Sequence, residues 1–153
     1  MNFVELENFI EINNGASIEF GTEENAPSDT WIERAECDLG VKLPPSYIWF
    51  LKNYGGGEIH GDEIFSIYEI PFDEASGGDV VFQTISDRRN EFIKESEVLI
   101  CSTDFGEQFV MDVSRRNEKG EYPIVRKVGN HRKDFANSFA DFIVKFVGDA
   151  AIE

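Results

Sequence analysis

The chain has 153 residues, of which 30 are Asp or Glu and 14 are Lys or Arg, giving a net charge of -16 and a pI near 4.4. One domain, residues 1–153, fits that length, and 41% hydrophobic content with 14 Phe is too apolar for a disordered acidic tail. Such a charge argues against direct nucleic-acid binding, which leaves a basic footprint, and favours a basic protein as partner.

The acidity is uneven. Residues 1–76 hold 3 basic against 16 acidic residues, and residues 77–153 hold 11 against 14. No apolar run approaches the ~18–20 residues that span a bilayer, and Met1-Asn2-Phe3-Val4-Glu5 lacks the basic start of a secretory leader. Cys37 and Cys101, the only cysteines, fit neither a disulfide framework nor a zinc site. A cytoplasmic protein with reduced thiols is the expectation.

In chain order, Phe3, Leu6, Phe9 and Ile10 predict a first helix that ends near Asn13-Asn14-Gly15. Ser17 to Phe20 reads as a short strand, and Thr22 to Ser28 as a polar connection. Thr30-Trp31-Ile32-Glu33 has the form of a capping box, opening a helix that runs to Leu39 and exits through Gly40. Pro45 fits the first turn of the next helix, which should reach Asn53 before Gly55-Gly56-Gly57 stops it. Strands are then expected at Glu58 to Gly61 and at Ile64 to Ile70, the second closed by Pro71. A helix from Val80 to Lys94 follows. Val98 to Ser102 and Gln108 to Val113 form an expected hairpin around Asp104-Phe105-Gly106-Glu107, and Tyr122 to Val128 is a further strand. Phe135, Phe139, Phe142, Ile143 and Phe146 line one face of a closing helix. Helices, a mostly antiparallel run of strands and a last helix make an α+β fold, with helices packed on a curved sheet.

The chain offers little for catalysis. Asp104-Phe105-Gly106 spells a kinase magnesium triplet, but no Gly-rich loop or catalytic loop accompanies it, and a turn explains it better. The triple glycine follows a helix and precedes a strand, the wrong order for a phosphate loop. His60, beside Asp62 and Glu63, is one of only two histidines, too few to specify a metal site. No catalytic residue, metal or cofactor is expected, and the protein is read as a non-enzyme.

The acids carry the remaining signal. Glu58, Asp62, Glu63, Glu69, Asp73, Glu74 and Asp79 come from consecutive elements and loops after the triple glycine, and Glu19, Glu23 and Glu24 add to the same half. Glu58, Asp62, Glu63, Asp73 and Glu74 are the ones expected to meet a partner. A solubilising surface accounts for part of this, and a cation-seeking face for the rest. Trp49 and Tyr54 are the aromatic residues singled out as interface anchors.

Trp31-Ile32-Glu33-Arg34-Ala35-Glu36, Leu39-Gly40-Val41-Lys42-Leu43-Pro44-Pro45-Ser46-Tyr47, Phe50-Leu51 and Asn53-Tyr54-Gly55-Gly56 resemble the signature of the SUKH superfamily. That signature has the form I..E..LG..LP..Y..FL...NGG. The order of the later strands and the closing aromatic helix also matches, over roughly residues 30–146. Tyr54 stands where a glycine commonly follows Asn, and Phe105-Gly106-Glu107 replaces a Gly-rich turn. The resemblance implies a SUKH-like α+β domain without shared catalytic residues. It further implies a bacterial immunity protein, similar to the YobK-type antitoxins that partner LXG toxins with a nuclease domain; fungal members regulate cell-wall synthesis. The expected partner is a cognate protein toxin, basic and nuclease-type, and not a membrane. The alternative is a regulatory or scaffold module acting on an endogenous partner.

Overall fold

The computed structural model describes the backbone of residues 1–152 and the side chains of residues 1–149. Among the described residues five α-helices and seven strands form the α+β arrangement that the pattern predicts. Helix α1 (Phe3–Asn13) is capped by Asn2, whose side chain accepts from the Glu5 amide at 2.8 Å. It buries only Leu6 and Ile10. Strand β1 (Ile18–Phe20) leads through a 3-10 turn at Glu23–Asn25 to α2 (Asp29–Leu39).

The cap of α2 differs from the expected box. Ser28, extended at ψ 160, accepts from the Trp31 amide at 3.4 Å, so the helix is already under way at Thr30 and its hydroxyl is not needed as a cap. The exit is as predicted, with Gly40 at φ 72 donating to the Glu36 carbonyl.

Helix α3 (Pro45–Tyr54) has Pro44 at its cap position, which offers no side-chain acceptor. Glu121, 75 residues away, supplies one: its carboxylate accepts from the Ser46 amide at 2.9 Å and the Ser46 hydroxyl at 2.6 Å, with both residues buried. A negative group at a helix start also meets the positive end of the dipole. Glu121→Ala should therefore cost about 2 kcal/mol, through two orphaned donors and a lost cap. Urea unfolding measures this, and a loss under about 0.5 kcal/mol would show that water replaces the carboxylate.

Strands β2 (Gly57–Ile59) and β3 (Asp62–Ile64) form a hairpin through His60-Gly61, both at positive φ, as a two-residue turn of the primed type requires. The expected strand from Ile64 to Ile70 ends at its first residue. The Phe65 amide donates to the Ile100 carbonyl, Ser66 bridges to Asp79, and Glu69 turns to φ 57. Alternating Ile, Phe and Tyr there serve a loop that packs inward through Phe65 and Ile67.

Asp79 caps α4 (Val80–Arg89), accepting from Phe82 at 2.8 Å and from Tyr68 at 3.1 Å. The helix ends five residues before Lys94 because Glu91 adopts φ 60, and Phe92 is left exposed. Strands β4 (Glu97–Ser102), β5 (Glu107–Asp112), β6 (Ile124–Val128) and β7 (His131–Ala136) form an antiparallel meander in chain order. A register shift in β4 leaves Ile100 between two paired residues, and its carbonyl receives the Phe65 amide that links this sheet to β1–β2–β3.

Strand β7 has no counterpart in the sequence pattern, and Phe135 lies in it rather than on the last helix. Ser138 accepts from Asp141 at 3.1 Å and starts α5 (Phe139–Ile152) after Phe135. The spacing misleads because Phe135 still packs into the same cluster, 4.9 Å from Phe109 and 5.9 Å from Phe142 by ring centroids.

One apolar core runs through both sheets. Its rings pass from Phe20 to Phe50, Tyr47 and Phe139, then to Phe142, Phe109 and Phe146. The triple glycine is a seam in this body. A Cβ on Gly55 would stand 2.5 Å from Asn25, one on Gly56 2.8 Å from the Ser66 hydroxyl, and one on Gly57 against the Glu19 carbonyl and Phe20.

Candidate partner-binding surface

The hairpin register assembles the first group of carboxylates. Glu19 pairs with Glu58 across β1 and β2, and Glu58 with Glu63 across β2 and β3. Residues directly opposite share a face, so Glu19, Glu58 and Glu63 form a row while Ile18, Ile59 and Ile64 are buried. Like charges placed directly opposite destabilise a sheet. Among the described residues no Lys, Arg or His forms an ion pair with any of the three, nor with Asp62, Asp73 or Glu74.

Glu63 is tethered at one end of the row. The Tyr68 hydroxyl donates to its carboxylate at 2.5 Å and accepts from the Gly78 amide at 2.9 Å. Burial and the bond to Glu63 push Tyr68 up to about 12. Asp62 lies on the other side of β3, turned toward the β4–β5 turn. Burial raises its carboxyl first, then the nearby charges of Asp104 and Glu107, with Glu58 adding to the rise and His60 opposing it.

Asp73 and Glu74 are exposed in the loop after Pro71. Phe72 holds that loop on the α2–α4 side, with the Arg89 guanidinium 5.8 Å from its ring and Trp31 in the same small crevice. Among the described residues no side-chain bond links these two acids to the β1–β2–β3 sheet.

Trp49 and Tyr54 meet edge to face at 5.6 Å, and the Phe3 ring stacks on Trp49 at 5.2 Å. Helix α1 thus covers one face of Trp49. Burial, with Glu7 and Glu11 nearby, pushes Tyr54 up to about 12. It also lines an open groove of about 510 Å³ with the triple glycine, Tyr68, Glu69 and Ile70.

A second concavity, about 490 Å³, opens where the β2–β3 turn faces the end of the four-stranded sheet. Phe109, Phe135 and Phe146 line it, and its polar residues include His60, Asp62, Glu107 and Lys133. His60 Nε2 lies 2.9 Å from the Val147 carbonyl, and Glu107 accepts from Arg126 at 2.5 Å. No group of three or more His, Cys, Asp or Glu among the described residues could hold a metal ion. At the rim stands Phe105, which the sequence pattern marks only as part of a turn.

The SUKH_6 family model, described as SMI1-KNR4 cell-wall, matches residues 29–143, three quarters of the chain. The chain belongs to the SUKH family. The SUKH match takes in α2, α3, β2 to β7 and the first residues of α5; α1 and β1 precede it. Glu19 therefore joins the carboxylate row from outside the SUKH-matched stretch. The SUKH family is associated with immunity proteins, which implies a protein partner in general. No described helix is long and apolar enough to cross a membrane.

Proposed function

We propose that this SUKH protein is an immunity protein that binds and neutralises a cognate polymorphic or LXG-type toxin, basic and nuclease-type, in the cytoplasm. The observation that carries the reading is the row Glu19–Glu58–Glu63, held in register without a compensating cation among the described residues. A row of carboxylates resembles a phosphodiester backbone in charge, and it attracts the cationic cleft of a nuclease. Asp62, Asp73 and Glu74 extend the field, and Tyr54 with Trp49 supplies apolar surface beside it. The domain acts by binding, with no catalytic group of its own.

Rescue decides the reading. Each toxin domain encoded in the source genome is expressed with and without this protein, and protection from one of them is the expected result. Against that toxin, the triple variant Glu19→Lys, Glu58→Lys, Glu74→Lys should associate roughly tenfold or more slowly at low salt. Its melting temperature should not fall, because all three side chains are exposed. Unchanged association in a folded variant removes the acidic face from the reading.

The family description's mention of the cell wall favours a second reading, a regulatory or scaffold module with an endogenous partner. That module would protect against no toxin, so the same rescue separates the two.

A further inference from the structure

The β4–β5 turn holds a large aromatic side chain out into water. Phe105 is 88% exposed, the most exposed of the large apolar residues in the described structure. Single exposed apolar residues are ordinary, but the backbone beneath this one is pinned. The Thr103 hydroxyl accepts from the amides of Phe105 and Glu107, each at 3.3 Å. The Thr103 amide donates to the Glu107 carbonyl at 2.9 Å, and Gly106 donates back to the Thr103 carbonyl at 3.2 Å. An aromatic residue on a backbone so fixed loses little further freedom when a partner covers it.

Its surroundings combine apolar and acidic side chains. The β4–β5 and β6–β7 turns lie at the same end of the meander. Val128, also exposed, is the cross-strand partner of Glu107. Phe105, Phe109 and Asp62 all line the 490 Å³ concavity. Asp62 and Asp104 make no ion pair among the described residues. Their mutual repulsion, with that of Glu107, already weighs on Asp62. Arg126, Lys133 and Lys145 line the same concavity, but Arg126 is paired with Glu107 and Lys145 donates to the Phe135 carbonyl. The two unpaired carboxylates beside the apolar knob complement an apolar pocket rimmed by Lys or Arg.

We propose that Phe105 is the anchor of the toxin interface, inserting into an apolar pocket with a cationic rim on a basic protein partner, with Asp62 and Asp104 meeting the rim. This rests on the immunity reading and names the contact that reading leaves open. Charge would govern encounter, and the buried aromatic residue would govern the lifetime of the complex.

The test uses the toxin domain identified by rescue, purified in an inactive form, and calorimetric titration of the wild-type protein, Phe105→Ala and Phe92→Ala. Phe92 is the control, an exposed Phe near the start of β4, at the far end of the sheet. Phe105→Ala should weaken binding by about 30-fold or more, mostly through faster dissociation, with an unchanged melting temperature. Phe92→Ala should bind like the wild type. Near-wild-type binding by Phe105→Ala, or an equal loss in both variants, overturns the anchor and leaves the immunity reading standing. If the wild-type protein rescues from and binds none of the toxin domains, the immunity reading fails and the anchor falls with it.

Discussion

Phe142→Ala is expected to be the most damaging single substitution, lowering stability by about 4 kcal/mol. Phe142 is fully buried, and its ring lies 5.2 to 5.9 Å from those of Phe109, Phe135, Phe139 and Phe146. Truncation leaves a cavity walled by rings on β5, β7 and α5, elements whose backbones are fixed by their own hydrogen bonds and cannot close over it. The loss includes both the transfer of the ring and the unfilled volume. In a domain of this size the melting temperature should fall by on the order of 10 °C. Urea unfolding should show a lower midpoint at unchanged slope. A loss below about 1 kcal/mol would mean that the cluster repacks, and that α5 is held by something other than its aromatic face.

Arg132→Gln should come next, at about 3 kcal/mol. Its guanidinium makes two bonds to the Glu97 carboxylate, at 2.9 and 3.0 Å. Glu97 is 3% exposed. Removing the cation leaves a buried carboxylate with only the Lys94 amide, at 2.8 Å, as a remaining donor among the described residues, and broken buried pairs cost several kcal/mol. Arg132 itself is partly exposed, so water softens the loss. Adding Glu97→Gln to Arg132→Gln should recover much of it, because no uncompensated charge remains. A double-mutant cycle by chemical denaturation gives the coupling directly. Additive losses would show that the two residues act separately.

These two sites differ in how far the sequence discloses them. The Phe spacing near the C-terminus gives away the packed face of α5, although it also draws in Phe135, whose strand has no apolar alternation. His131-Arg132-Lys133-Asp134 is a charged run, and charge is how an edge strand protects itself from further pairing; the feature that hides β7 is the one that lets it lie at an edge. The opposite error occurs at Ile64 to Ile70, where alternation suggests a strand. Its backbone bonds go instead to Ile100 and to the Gly78–Val80 segment, partners that no local pattern reveals. Helices α2 and α3 are legible because Gly40, Pro44 and Pro45 mark boundaries through their own backbone chemistry. The cap of α3 is not legible, since Glu121 arrives from another part of the chain.

For the candidate surface, composition places the acids in the first half but does not say which share a face. Glu19 and Glu58 become neighbours through strand pairing across two helices, and Asp73 and Glu74 are carried to the α2–α4 side. Phe105 could have been noticed as a large apolar residue in an otherwise polar turn. Its exposure, and the Thr103 bonds that fix its backbone, are properties of the folded chain.

The glycine seam also bears on how such a protein can diverge. Gly55, Gly56 and Gly57 join the 3-10 segment, β1 and the loop after β3 at separations where one added methyl would wedge them apart. Glu58 follows immediately, exposed, and exposed positions usually change at within about 0.5 kcal/mol. An invariable hinge of backbone thus adjoins a position free to change its charge. A lineage under pressure to match a drifting partner can rewrite the row from Glu58 outward, one side chain at a time, without reopening the question of whether the chain still folds.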